Sequence, residues 1–119
     1  TDDILGGAAT FTMLSTTQAY HDANPLAYQA VLDALEEAQQ LIRENPAAAV
    51  DVLMASGQGG GLSAEQLTDV LLDPAIMFTS TPQNTMRYAR FMYQVGSLRN
   101  EPVAWTDMFF PEIHAADGN

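Results

Sequence analysis

Hydroxyl groups are the densest polar chemistry in this chain. Thr10, Thr12, Ser15, Thr16 and Thr17 fall within one short stretch, TFTMLSTT. Ser and Thr hydroxyls donate to an anion without carrying charge, and α/β folds place such donors at strand ends and in the loops beyond them. The same residues also suit a half-buried strand, because β-branched side chains pack well on a pleated surface. Residue types alone leave both readings open.

Other constellations carry less. His21 and His114 are far apart, and neither His21-Asp22 nor Glu112-x-His114 has the i, i+4 spacing of a helical metal pair, so no metal is expected. Asp33, Glu36 and Glu37 crowd one helix. A like-charged i, i+4 pair such as Asp33 and Glu37 disfavours a helix slightly and can raise a carboxyl pKa, but a solvated acidic face is the simpler reading. Ser15, Ser56, Ser63, Ser80 and Ser97 lie in no elbow motif, and neither His shows an acidic orienting partner. Gly59 to Gly61 lack the Lys that a phosphate loop requires and read as a surface loop. No catalytic residue and no cofactor is assigned, and the chain reads as a non-enzyme.

Composition narrows the partners. Four cations, all Arg, stand against 15 acids, for a net charge of −11 among 119 residues. So few cations cannot build a phosphate-binding groove, and an anionic membrane surface would repel the chain, so neither nucleic acid nor membrane is an expected partner. The absence of Cys excludes disulfides and thiolate chemistry. No apolar run reaches the ~18 residues of a membrane span, and no signal peptide is evident. The chain opens with the acidic pair Asp2-Asp3 on what reads as a strand approach from Thr1, and is expected to be a processed or cut piece of something longer.

The elements that must position these residues are organised around Asn24 to Glu44. Ala27, Val31, Ala34, Leu35, Ala38, Leu41 and Ile42 keep one helical period there, with Asn24 as expected N-cap and Pro25 at the first position. A strand is expected at Phe11 to Ser15, after the sharp turn or close approach marked by Gly6-Gly7, and Gln18 to Ala23 reads as a link. Pro46 opens a helix over Ala47 to Met54, with Val50, Leu53 and Met54 inward. Ser63-Ala-Glu-Gln66 is a capping box for a helix over Ala64 to Leu72, with Leu67, Val70 and Leu71 inward. Ala75 to Ser80 is extended, and Gln83 to Val95 forms a further helix closed by Gly96 at C′. Its inward side is Met86, Ala89, Met92 and Tyr93, with Arg87, Arg90 and Gln94 in water. One helical turn at Trp105 to Phe109 pins the aromatic tail. The fold class is mainly α, about four helices plus one strand. Residues 1–17 form a hinge and strand segment, 24–97 a helical cap and 98–119 an aromatic tail.

Several stretches together resemble a known family. LGGAATF, STTQAYHDANP, Asp73-Pro74 with Phe78-Thr79, the helix Tyr88-x-x-Phe91-Met92-x-x-Val95-Gly96, and Trp105-Thr-Asp-Met-Phe-Phe-Pro-Glu-Ile-His114 look like the C-terminal part of ABC-importer substrate-binding proteins of the nitrate, sulfonate and taurine type. The resemblance implies a parent α/β, two-lobed receptor, periplasmic or lipid-anchored outside the inner membrane, that hands a small anionic solute to an ABC permease. It further implies that Thr10, Ser15, Thr16 and Thr17 face the ligand cleft and that Gly6 and Gly7 lie near a hinge crossover. The rival reading is a self-associating helical interaction domain, a homodimer with no small-molecule ligand.

Overall fold

The computed structural model of the chain describes residues 6–119, so the acidic pair Asp2-Asp3 and the strand approach from Thr1 lie outside the described residues. Contacts divide the chain into two compact units. One runs Thr16–Thr79; the other ends at Ser15 and resumes over Ser80–Asn119.

The first unit holds four helices: α1 Gln18–Ala23, α2 Pro25–Glu44, α3 Pro46–Ala55 and α4 Ala64–Leu72. Helix α1 stands where a link was expected. Thr17 Oγ1 accepts from Tyr20 N at 3.1 Å, an N-cap that supports even one and a half turns. Asn24 departs from its expected role as the cap of α2. Its Nδ2 donates to Tyr20 O at 3.0 Å, turning back to a carbonyl of α1 that the Asn24 N–H also reaches at 2.9 Å, and α2 starts with no side-chain cap. Asn45 Oδ1 caps α3 by accepting from Ala48 N at 3.1 Å. The capping box of α4 forms as the residues imply: Ser63 Oγ accepts from Gln66 N at 3.2 Å and Gln66 Oε1 from Ser63 N at 2.9 Å.

Packing in this unit centres on α3, which contacts both α2 and α4. Val50 is 2% exposed and Leu67 is buried, while Leu53 and Leu71 are half-buried and Met54 and Val70 exposed. The unit covers only the C-terminal end of the expected apolar stripe of α2, where Leu41 and Ile42 are half-buried. Val31 is 49% exposed, and Ala27, Ala34 and Ala38 are exposed as well. Tyr28, Leu32, Gln39 and Ile42 are the covered side, roughly a quarter turn away at 100° per residue.

The second unit is built on α5, Thr85–Gln94, with short 3-10 turns at Trp105–Met108 and Pro111–Ile113. Helix α5 begins two residues later than the periodicity implies, because Gln83 and Asn84 are engaged elsewhere. Thr10 N donates to Gln83 O and Gln83 N to Thr10 Oγ1, both at 2.9 Å. Asn84 adopts φ 55°, a left-handed conformation that Asn tolerates, and its Nδ2 donates to Ala8 O at 2.7 Å. Asn119 closes the other side: its carbonyl accepts from Thr85 N and Thr85 Oγ1, its Oδ1 from Asn84 N, and its own N–H donates to Pro82 O. At the far end, Ser97 N reaches Met92 O and Gly96 N reaches Tyr93 O, a Schellman closure that uses Gly96 at φ 77°. Ala89 is buried, but the expected inward Met92 and Tyr93 are 41% and 42% exposed.

The expected strand at Phe11 to Ser15 does not form; among the described residues there is no strand. A strand requires a neighbour for its ladder, and among the described residues the backbone that meets this segment is Gln83, which pairs with Thr10 alone. Asn84 offers a direct check on the second unit. Asn84→Ala, losing both the left-handed tolerance and the bond to Ala8, should cost about 1–2 kcal/mol in urea unfolding, and Asn84→Gly, which restores φ but not the bond, clearly less. Equal losses would show that the conformation contributes nothing.

Candidate functional site

The hydroxyls assigned to a ligand are in two different situations. Thr10 Oγ1 accepts from Gln83 N, and Thr17 Oγ1 caps α1, so one lone pair of each is used while each proton stays available. Ser15 and Thr16 are exposed, and their hydroxyls bond to no described residue. Thr10 and Ser15 belong to one unit, Thr16 and Thr17 to the other. Just upstream, Gly6 and Gly7 have φ 74° and 142°, and a Cβ on Gly6 would lie 2.8 Å from Arg87 Nη1. That approach places the Arg87 guanidinium beside Gly6 of the N-terminal segment.

Two open grooves flank helices. One, of about 600 Å³, runs along α5 between Asn84, Arg87, Arg90, Phe91, Gln94 and Asn119. Its guanidiniums lie one turn apart, and Arg90 Nε faces Glu101 Oε1 at 3.9 Å, beyond hydrogen-bonding distance. Three amides, an aromatic ring and Met86 complete an open lining. The other groove, of about 370 Å³, follows α2 past Ala34, Ala38 and Leu41 with Glu37 and Glu44 at its rim.

The titratable candidates are tied into local structure. His21 Nδ1 donates to Asp22 Oδ1 at 2.8 Å, so His21 does have an acidic partner, its sequence neighbour. Gln18 Nε2 donates to the same oxygen at 2.8 Å, and the His21 ring stands edge-on to Tyr28 with centroids 4.6 Å apart. His114 Nε2 donates to Phe109 O at 2.8 Å and its ring meets Trp105 at 5.8 Å. Asp33 is bound by Gln29 one turn before it, and Glu36 and Glu37 are exposed beside it. Among the described residues no three or more His, Cys, Asp or Glu converge as metal ligands, and no helix is long and apolar enough to cross a membrane.

Two carboxylates are held below their ordinary value of 3.8. Asp22 is lowered chiefly by the hydrogen bond from His21, then by that from Gln18. Asp107 is lowered by the backbone N–H groups of Ala104 and Val103, which reach its Oδ2 at 3.0 and 2.8 Å. A depressed carboxyl adds stability that is present above 3.8 and is lost as pH falls through the lowered value. The chain has one Trp, Trp105, in the very turn that Asp107 closes, so its fluorescence reports on that turn. An acid titration should give a fluorescence step below pH 3.8 that Asp107→Asn abolishes; an unchanged step in the variant would assign it to another group. Comparison of the whole chain with family models, curated proteins and solved structures finds no match in any of the three.

Proposed function

We propose that this chain is the C-terminal part of the solute-binding component of an ABC importer, which captures a small anionic solute such as nitrate or a sulfonate. In this reading the solute is held by neutral hydroxyl donors while two lobes close about a hinge, with no covalent step. The protein works in the periplasm or lipid-anchored outside the inner membrane and delivers to a permease. The observation that carries the proposal is the open apolar stripe of α2, Val31, Ala34 and Ala38, in a chain whose segments resemble that family. A helix with one apolar face must lay it on another layer, and in α/β proteins that layer is a sheet. The free hydroxyls of Ser15 and Thr16 add donors suited to an anion.

A second reading draws on the same open faces. Leu26 is 86% exposed, Leu72 62% and Val103 90%, and apolar surface of this kind is also covered by self-association of a helical domain.

A thermal-shift screen separates the two, performed on the polypeptide that carries this chain together with its upstream sequence. Nitrate, taurine and simple alkanesulfonates are the probes. A true solute at 100 times its Kd should stabilise by about 2.7 kcal/mol, a rise of several degrees in Tm. Ser15→Ala and Thr16→Val should each weaken that solute about fivefold if their hydroxyls donate to it. A flat screen across all probes would remove the receptor reading.

A further inference from the structure

We infer that Phe11 to Ser15 is an unfilled β-pairing edge and that its occupant, for this chain by itself, is the same segment of a second copy. The inference does not depend on the receptor reading; it gives the self-association reading a specific surface that is not helical.

Four observations converge on these residues. Their backbone N–H and C=O groups bond to no described residue, although Thr10 immediately before them is fixed by two hydrogen bonds to Gln83. Their side chains are open: Phe11 is 66% exposed, Met13 56% and Leu14 74%. Apolar residues occur at both odd and even positions, so a strand formed here would be apolar on both faces. The run TFTMLST combines high β propensity with no charge, no Pro and no Gly, the composition that favours strand-to-strand association.

The uncharged, β-prone composition of the run selects an identical segment of a second copy as the occupant, and this is the stretch where charge opposes that least. Two chains of net charge −11 repel wherever their acidic faces meet. Ile4 to His21 is the longest stretch of the sequence without an Asp, Glu, Lys or Arg, so it is where two copies approach at least electrostatic cost. An antiparallel pair of identical segments is self-complementary, the arrangement a two-fold dimer requires. As a strand, the segment would direct the N–H and C=O of Phe11, Met13 and Ser15 to one edge, opposite to the edge on which Thr10 already meets Gln83. The Phe11 ring, edge-on to Tyr88 at a centroid distance of 6.3 Å, keeps the start of that edge attached to the body.

The test uses the 119-residue chain alone, since a longer polypeptide could fill the edge from within. Light scattering over roughly a hundredfold range of concentration should show the mass rising from 12.9 kDa to about twice that. Hydrogen exchange at the two ends of the range should show the amides of residues 11–15 protected at least about tenfold more in the concentrated sample. Met13→Lys should weaken the dimer about tenfold or more, although it lowers the net negative charge and so reduces general repulsion. Val103→Lys, the same charge change at a 90% exposed site, should leave the dimer intact, and circular dichroism should show unchanged helix content in both. A monomer at every concentration overturns the inference. So does a dimer in which residues 11–15 remain unprotected, an outcome that would leave helical self-association standing, and so does equal weakening by the two Lys variants.

Discussion

Helix α2 has more apolar surface than its neighbours can reach, and much else follows from that constraint. A helix buries one side only, and α2 turns Tyr28, Leu32, Gln39 and Ile42 toward the body of its unit. The regular stripe through Val31, Ala34 and Ala38 is left over. Burial of apolar area is worth about 25 cal/mol per Å², so an uncovered stripe is stabilisation that the chain has encoded and does not collect by itself. Among the described residues, the buried apolar side chains are Val50, Leu67, Pro82 and Ala89, a thin core for two units.

Where burial is thin, hydrogen bonding takes over. In the second unit Pro82–Thr85 is hydrogen-bonded from both sides, by Ala8 and Thr10 and by Asn119. Gly118 fits beneath the Trp105 ring, where a Cβ would come within 3.0 Å of the indole, so the aromatic tail closes onto the same place. The unit is therefore held by main-chain and side-chain hydrogen bonds drawn from three distant parts of the sequence. Such a junction also explains why the chemistry assigned to the hydroxyl cluster divides: Thr10 is committed to the junction and Thr17 to a helix cap, while Ser15 and Thr16 remain free.

The legible part of the fold was its local chemistry. The Ser63/Gln66 capping box, the Schellman glycine at Gly96 and the bounds of α4 are written in neighbouring residues, and they stand as the residues imply. Helix α1 was missed because six residues show no apolar period; its one signal was Thr17 as a cap, read instead as a ligand donor. Asn24 was misassigned for a related reason, since a side chain between two helices can serve the carbonyls behind it or the amides ahead. The partnership of His21 with Asp22 was overlooked because adjacent residues seldom face one another.

By itself the sequence determined the bounds of α4 and the closure of α5 at Gly96, because a capping box and a C′ glycine act within a turn of where they stand. It also determined the acidic surface and the lack of thiol chemistry, which are matters of composition. Only the tertiary structure decided which face of α2 is covered, whether TFTMLST becomes a strand, and that Arg87 lies beside Gly6. Each of those depends on a partner far along the chain, and periodicity records that a face is apolar without recording what will be there to meet it.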